Sequence, residues 1–126
     1  MSKEVSKQRN VLRDEALYIL KTNSRDNRYT VPSDRLYPYQ WNWDSGFIAL
    51  GIATYDFDRA VAELESLMEG QWHNGMVPHI VFHEFEEHYA PGPLDWQVPT
   101  GTTTKADVCT SGITQPPIMG SVLWRL

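Results

Sequence analysis

Cysteine is almost absent from this sequence, and its scarcity bears on the compartment in which the protein works. Among 126 residues the only cysteine is Cys109, so the chain has no partner for an internal disulfide. Disulfides are typical of secreted proteins, whereas a reducing compartment keeps thiols free. We therefore expect a cytoplasmic protein.

Long hydrophobic runs are also missing. No apolar stretch approaches the ~18 residues that a membrane-spanning helix needs. The first ten residues contain no apolar core of the kind that a secretory signal peptide has. The sequence therefore predicts neither a membrane partner nor a secretory leader.

Positive charge is scarce as well. The chain has 11 Lys and Arg against 16 Asp and Glu, a formal net charge of -5, and its basic residues are scattered. Binding to a phosphate backbone needs clustered Lys and Arg, so nucleic acid is not an expected partner. Five Trp and six Tyr, in contrast, exceed what a small helical core usually needs. They favour a binding surface, although any single ring could equally fill a core.

The richest aromatic segment is residues 36–47, with five aromatic side chains, two amides and one carboxylate. Aromatic faces beside hydrogen-bonding groups suit a sugar ring, whose C–H faces are apolar and whose edge carries hydroxyls. The carboxylate of Asp44 could grip those hydroxyls through charge-assisted hydrogen bonds. Alternatively, Asp44 or Ser45 could cap a helix that follows at once, and the two roles are compatible.

Hydrophobic periodicity predicts four helices. The first, over residues 5–23, carries an apolar stripe, and the second, over residues 44–53, is apolar all round and should be buried on every side. The third runs from a cap at Asp56 to about residue 69, with an apolar face towards the core. Its polar side chains are expected to face away, namely Arg59, Glu63, Glu65 and Ser66. The fourth begins at residues 115–117, with Thr114 as a cap and proline in its first turn, and runs to residue 126.

Between the third and fourth helices the sequence predicts little regular structure. Residues 76–83 are β-branched and apolar and contain Pro78, which favours an extended segment or short strand over a helix. Residues 84–114 are rich in Pro, Gly and Thr and predict a long irregular loop. Such loops are usually functional or disordered, and Tyr89 and Trp96 argue against full disorder.

Two further segments carry side chains that could bind a ligand or take part in a reaction. Asn74 and Gly75 predict a turn that brings Trp72 near His79, either to line a pocket or as a packed turn. His79 and His83, with a later His88, have a spacing that would suit a metal ion only on a helix. Because Pro78 and the β-branched residues disfavour a helix here, no metal is expected. Gly112 permits an unusual turn. A phosphate-binding loop is not expected there, because its Gly-Lys-Ser/Thr ending is missing.

At residues 37–47 the sequence resembles the family 63 glycoside hydrolases, and within them the bacterial mannosylglycerate/glucosylglycerate hydrolase branch. Residues 71–80 and 110–117 also resemble that branch, and the three motifs follow in the expected order. The resemblance implies an all-α fold, the (α/α)6 toroid, with long loops at the active-site end. It implies a small carbohydrate as the partner and neither a cofactor nor a metal.

The resemblance also implies roles for particular residues. In this branch the motif residues hold the substrate sugar, and an aromatic wall completes the pocket. Both catalytic carboxylates of the inverting mechanism are expected further along the family's chain, past Leu126, so Asp44 should bind substrate and none of the residues present should be catalytic. The substrate-binding residues implied here are Tyr37, Trp41, Trp43, Asp44, Tyr89 and Gln115.

Four predicted helices and a long loop do not make a closed core. We therefore expect residues 1–126 to be the N-terminal fragment of a single (α/α)6 catalytic domain, carrying part of the sugar site and inactive alone. The alternatives are a non-catalytic carbohydrate-binding module and a helical module whose apolar second and fourth helices dock on a partner. The sequence makes no prediction about oligomeric state.

Overall fold

A computed structural model describes residues 3–98, 104, 106 and 108–126 of the chain. Within these residues there are five helices and five short strands. The helices are α1 (Lys3–Thr22), α2 (Asn42–Ile52), α3 (Phe57–Glu69), α4 (Pro93–Trp96) and α5 (Met119–Leu123), and the strands are β1 (Ser24–Arg25), β2 (Tyr29–Thr30), β3 (Gln40–Trp41), β4 (Ile80–Phe82) and β5 (Cys109–Thr110). None of the described helices combines the length and the apolar character that crossing a membrane would require.

The strands form two small antiparallel sheets, so the predicted all-α class is only partly right: the described residues are mainly helical but not purely so. β1 pairs with β2, and β4 lies between β3 and β5. Val81 of β4 is opposite Gln40 on one side and Thr110 on the other. All three residues of β4 are buried, as the extended segment predicted around Pro78 suggested. Buried loop backbone needs hydrogen-bond partners, and these loops satisfy that need by pairing with one another.

The helical core lies where α2 packs against α3 and α5. Its buried members are Ala49, Ile52, Ala60, Leu64 and Val122, and Leu20 of α1 packs against them. α2 is not buried on every side, because Phe47 is 61% exposed. The apolar stripe predicted on α1 is likewise largely open to solvent. The core formed by the described residues therefore has apolar side chains at its edges that are exposed to solvent.

The polar face of α3 is the largest departure from expectation. Arg59, Glu63 and Ser66 were expected to face away from the core, yet their exposures are 5%, 0% and 1%. They are buried because the β1–β2 hairpin and the three-stranded sheet cover the face of α3 opposite α5. The apolar stripe revealed one interface of this helix, whereas the helix has two.

Beneath that second interface the buried carboxylate of Glu63 accepts three hydrogen bonds. The donors are the Ser45 hydroxyl at 2.7 Å, the Gln40 amide at 3.2 Å and the Arg59 guanidinium at 3.0 Å. Arg59 also donates to the hydroxyl of Thr30 at 2.8 Å. Together these side chains form what we call the Glu63 network.

His83 joins the Glu63 network from the end of β4. Its Nε2 lies 2.7 Å from the amide oxygen of Gln40, and its ring stacks on Tyr29 with centroids 4.2 Å apart. An amide oxygen only accepts, so Nε2 carries the proton. Burial, with a smaller contribution from nearby Arg28, lowers the pKa of His83 to about 4. The imidazole is therefore neutral at physiological pH.

Several element boundaries differ from those predicted. α5 begins at Met119 rather than at residues 115–117, and Ile118 precedes it without a side-chain cap. The predicted cap, Thr114, donates instead to the carbonyl oxygen of Val77 at 2.7 Å. The loop predicted over residues 84–114 contains the short α4 and β5. Pro99, Gly101 and the threonines at 102 and 103, which the sequence assigns to this loop, lie outside the described residues.

Position 70, at the end of α3, must be glycine because the neighbouring side chains leave no room for a Cβ atom. A Cβ atom there would lie 2.5 Å from Cγ2 of Val81, a buried side chain of β4. We expect Gly70→Ala to lower the free energy of unfolding by roughly 1–3 kcal/mol, as overpacking usually does. Gly120→Ala is the matched control, because a Cβ at that helical position meets no atom within 4 Å. Urea unfolding of both variants checks this, and equal midpoints would contradict it.

The lowered pKa of His83 predicts a pH dependence of stability. Between the ordinary histidine pKa of 6.5 and about 4, the unfolded chain takes up a proton that the folded chain does not. Stability is therefore fully present above pH 6.5 and is lost as the pH falls, by roughly 3 kcal/mol for this group.

Thermal unfolding between pH 7 and 4 tests this expectation. His83→Gln keeps an N–H donor but cannot titrate, so its melting temperature should fall less with pH than that of the wild type. His73→Gln, at an exposed histidine outside the Glu63 network, should keep the wild-type profile. Parallel profiles for all three proteins would rule out His83 as the group responsible.

Candidate functional site

A cleft of about 380 Å³ opens at the junction of β3 and α2. Residues before β3, in the first turn of α2 and before α5 line it. The structure thus brings five of the six residues implied by the family resemblance into one cleft. Its lining consists of Pro32, Tyr37, Trp41, Trp43, Asp44 and Gln115.

The β3–α2 junction divides its side chains between the cleft and the interior. Trp41, Trp43 and Asp44 line the cleft, whereas Asn42 is 3% exposed. The Asn42 side chain donates to the carbonyl oxygens of Val77 at 3.3 Å and Pro78 at 3.1 Å. The cleft residues are therefore carried on a junction that is anchored from beneath.

α2 begins earlier than the sequence suggested, which changes the role of Asp44. Trp41 is the N-cap residue and makes no side-chain capping bond, so neither Asp44 nor Ser45 caps the helix. Asp44 lies in the first turn, where the helix dipole favours a negative charge. Ser45 points inward to Glu63 instead. The carboxylate of Asp44 is therefore available to the cleft.

Asp44 is partly buried, and among the described residues no Lys or Arg forms an ion pair with it. Desolvation raises the pKa of this carboxyl above its ordinary value. Hydrogen bonds with its own backbone and the Trp43 side chain partly offset that rise. An unpaired carboxylate at a cleft is a strong acceptor for hydroxyl donors.

Aromatic rings form the wall of the cleft, and Trp41 is the ring they share. Tyr37 meets Trp41 edge to face with centroids 5.3 Å apart. Behind Trp41, the ring of His79 lies 4.6 Å away at 83°, and Trp96 packs on the far side of His79. Burial lowers the pKa of His79, so this wall is uncharged near neutral pH.

Gln115 closes the cleft from a distant part of the chain. Its Oε1 accepts a hydrogen bond of 3.0 Å from the backbone N–H of Trp43, 72 residues earlier. That N–H is one of the groups a helix leaves unpaired at its start. The Nε2 of Gln115 donates no hydrogen bond within the described part of the chain, which leaves a donor for a ligand.

Tyr89 is the one implied residue that does not line this cleft. It packs against Tyr39 with centroids 5.2 Å apart and against Trp41 at 6.5 Å. It lines a neighbouring depression of about 360 Å³ together with Arg35 and His88. Tyr89 is thus one ring away from the cleft, behind the wall that Trp41 provides.

The turn predicted at Asn74 and Gly75 is present, and Gly75 has a φ of +93° that glycine accommodates. Trp72 is anchored by Thr110, to whose hydroxyl its indole N–H donates at 2.9 Å. His79 contacts Trp41 and Trp96 instead. Among the described residues no three His, Cys, Asp or Glu side chains are grouped to hold a metal ion.

Comparison with known proteins assigns this arrangement to a family. The sequence model of the "Mannosylglycerate hydrolase MGH1-like glycoside hydrolase domain" matches residues 37–126. The chain belongs to this family. Its matched region contains every residue of the cleft except Pro32.

Members of the mannosylglycerate hydrolase-like family share much of this sequence. A mannosylglycerate hydrolase of Thermus thermophilus is 50% identical over 110 residues, which cover 86% of this chain and 25% of that protein. The glucosylglycerate hydrolase of Mycolicibacterium hassiacum is 42% identical over 116 residues, 88% of this chain and 25% of that protein. The chain thus spans about a quarter of the length of these relatives.

A solved structure in the same family has a similar fold. A GH63 mannosylglycerate hydrolase of Thermus thermophilus, in complex with Tris and D-glycerate, matches with a TM-score of 0.78 at 50% identity. The match covers 89% of this chain and 25% of that one. The same enzyme in complex with glucose matches with a TM-score of 0.68 at 49% identity.

The support beneath the cleft does not follow from the apolar pattern of α3. That pattern predicts a solvated face for Arg59, Glu63 and Ser66, yet their spacing of four and three residues places them in one row on α3. That regular polar row was a usable signal for a second buried interface. The contact of Trp96 with His79 had no comparable signal, because it joins distant loops.

Asp44 carries a charge that the cleft could use to bind a ligand but that lowers the stability of the fold. Its folded-state pKa is raised, so ionisation costs folding free energy once the pH exceeds the ordinary value of 3.8. Asp44→Asn keeps the shape without the charge. We expect it to unfold at a higher temperature than the wild type at pH 7, with the difference vanishing below pH 3.8.

Asp58→Asn is the matched control, because Asp58 is an exposed carboxylate in the first turn of α3. Removing its charge near a helix N-terminus should leave stability unchanged or slightly lowered. Differential scanning calorimetry at pH 7 and at about pH 3.5 distinguishes the two effects. A lower melting temperature for Asp44→Asn at pH 7 would contradict the assignment.

Proposed function

We propose that residues 1–126 are the N-terminal part of a single (α/α)6 catalytic domain of an inverting glycoside hydrolase. Its substrate is mannosylglycerate, glucosylglycerate or a related small α-glycoside, and this chain supplies part of the sugar site only. The observation that carries the proposal is the meeting of Tyr37, Asp44 and Gln115 in one cleft. Its chemistry suits a sugar, and the chain around it is 50% identical to a mannosylglycerate hydrolase.

The ligands of the related enzyme support the substrate class. The Thermus thermophilus enzyme has been crystallised with D-glycerate and with glucose, a small hydroxy acid and a hexose. Those molecules correspond to the two halves of a glycosylglycerate. A cleft of about 380 Å³ has room for a monosaccharide ring beside its aromatic wall.

The distribution of apolar surface supports the ring of helices. On one side of α2, Phe47 is exposed beside the open stripe of α1. On the other side, α3 and α5 line an apolar groove of about 440 Å³, with Phe57 and Leu123 more than half exposed. A sector of a closed ring has two such edges, each covered by a neighbouring helix.

In this proposal the cleft binds and orients the glycosyl unit. Asp44 accepts hydrogen bonds from sugar hydroxyls, and the Gln115 amide donates to a ring or hydroxyl oxygen. Trp41, Trp43 and Tyr37 contact the apolar C–H face of the sugar. Tyr89 supports the aromatic wall by packing against Trp41 from outside the cleft.

The chemical step belongs to two carboxyl groups beyond Leu126. In an inverting enzyme one carboxylic acid protonates the leaving oxygen, and a carboxylate roughly 6.5–9.5 Å away activates a water molecule on the opposite face of the sugar. Asp44 is then a binding carboxylate. A cytoplasmic location, suggested by the single cysteine, is part of the same proposal.

The test uses the complete hydrolase with Asp44→Ala. Loss of charge-assisted hydrogen bonds to the sugar should reduce kcat/KM for the preferred glycosylglycerate by about 100-fold. NMR of the released sugar gives the rate, and the first anomer formed shows whether configuration is inverted.

Asp58→Ala removes an exposed carboxylate outside the cleft and should leave kcat/KM unchanged. If Asp44→Ala retained full turnover, Asp44 would have no place in the sugar site. If the unmodified protein released no sugar from either glycosylglycerate or from related small α-glycosides, the proposed activity would be wrong.

A further inference from the structure

The cleft residues of the β3–α2 junction lie between two anchored neighbours. Gln40 immediately precedes Trp41, and Ser45 immediately follows Asp44. Both anchoring side chains are fully buried, and each bonds to the carboxylate of Glu63, the Gln40 Nε2 at 3.2 Å and the Ser45 Oγ at 2.7 Å. One buried carboxylate therefore holds both ends of the segment that lines the cleft.

Glu63 is itself fixed from a third direction. Arg59, one turn earlier on α3, donates to its second oxygen at 3.0 Å, and the two side chains are 4% and 0% exposed. Gln40 Nε2 also donates to the backbone oxygen of Glu63 at 2.8 Å. With one oxygen taken by Arg59 and the other shared by Ser45 and Gln40, the carboxylate has little freedom to rotate.

Stability alone does not account for this arrangement. A buried ion pair contributes little net stability, because the desolvation of two charges offsets their attraction. Well-packed apolar residues of similar volume would serve a core at least as well. What apolar residues cannot supply is direction, since hydrogen bonds fix the orientation of the groups they join.

We propose that Glu63 is a positioning residue, which sets the orientation of Trp41, Trp43 and Asp44 in the cleft through Gln40 and Ser45. This inference rests on the proposed function, because it assigns a consequence for sugar binding. His83 completes the arrangement from β4 by donating to the oxygen of Gln40 at 2.7 Å, so the Gln40 amide cannot flip.

The test is Glu63→Gln in the complete hydrolase. The amide keeps the size of the side chain and one acceptor oxygen. It also places an NH2 group against Arg59 or against Ser45 and Gln40, all of which act as donors here. We expect KM for the glycosylglycerate to rise about tenfold, with a smaller change in kcat, because the sugar-binding groups are displaced.

Ile52→Ala is the matched control for a purely structural effect. Ile52 is 1% exposed in the helical core, and it lies two turns beyond Asp44, about 12 Å along α2. The cavity should lower the melting temperature but leave KM unchanged at an assay temperature where both variants are folded. Such a difference in KM between two destabilised variants supports positioning.

Ser45→Ala provides a second, milder variant if Glu63→Gln does not fold. It removes the 2.7 Å hydrogen bond to Glu63 and the 3.1 Å bond that the Ser45 hydroxyl accepts from Gln40 Nε2, and it should raise KM about threefold. Combined with Glu63→Gln it should add little, since both changes break the same link. An unchanged KM in Ser45→Ala, or a fully additive double variant, would overturn the positioning role.

The remaining outcomes separate this inference from the proposed function. If Glu63→Gln and Ile52→Ala lose activity only in proportion to their loss of stability, Glu63 is structural and the hydrolase assignment stands. If the wild type shows no turnover of either glycosylglycerate or of related small α-glycosides, the proposed function fails and the positioning role fails with it.

Discussion

The carboxylate of Glu63, which has no access to water, ties the two small sheets to the helical core. Through Arg59 it reaches the β1–β2 hairpin, through Gln40 it reaches the three-stranded sheet, and through Ser45 it reaches α2. The desolvation of such a group is tolerable only when it is paired and hydrogen-bonded, as Glu63 is by its three donors. That requirement fixes the relative placement of α3, the sheet and the first turn of α2, and the cleft is built on their meeting point.

The two faces of α3 therefore have different functions. Its apolar side, with Ala60 and Leu64, joins α2 and α5 in a core that non-directional burial can hold. Its polar side meets the sheet through directional bonds. A cleft that must hold several side chains in register benefits from the second kind of contact. The exposed apolar surfaces beside Phe47 and Phe57 could take part only in the non-directional kind of contact.

The sequence predicted the elements whose signal is local. α1, α3 and the strand after Pro78 follow from periodicity, the Asp56 cap and β-branched residues, and five cleft residues follow from family motifs. The three-stranded sheet could not be predicted, because it depends on pairing between segments far apart in the sequence, and the apolar stripe of α3 did not reveal the polar face that packs against that sheet. The start of α2 was misplaced because Asp44 has the chemistry of a cap, although the helix begins two residues earlier.

The hydrogen bond between Gln115 and the start of α2 joins groups 72 residues apart. Closing so long a loop carries an entropic cost that contacts between α2 and α3, close in sequence, do not bear. The contacts between α2 and α3 can therefore form before residue 115 is available, whereas the part of the helical core that α5 supplies through Val122 comes later. During synthesis the cleft is complete only after residue 115 has left the ribosome, by which time α2 and α3 are both available to pack.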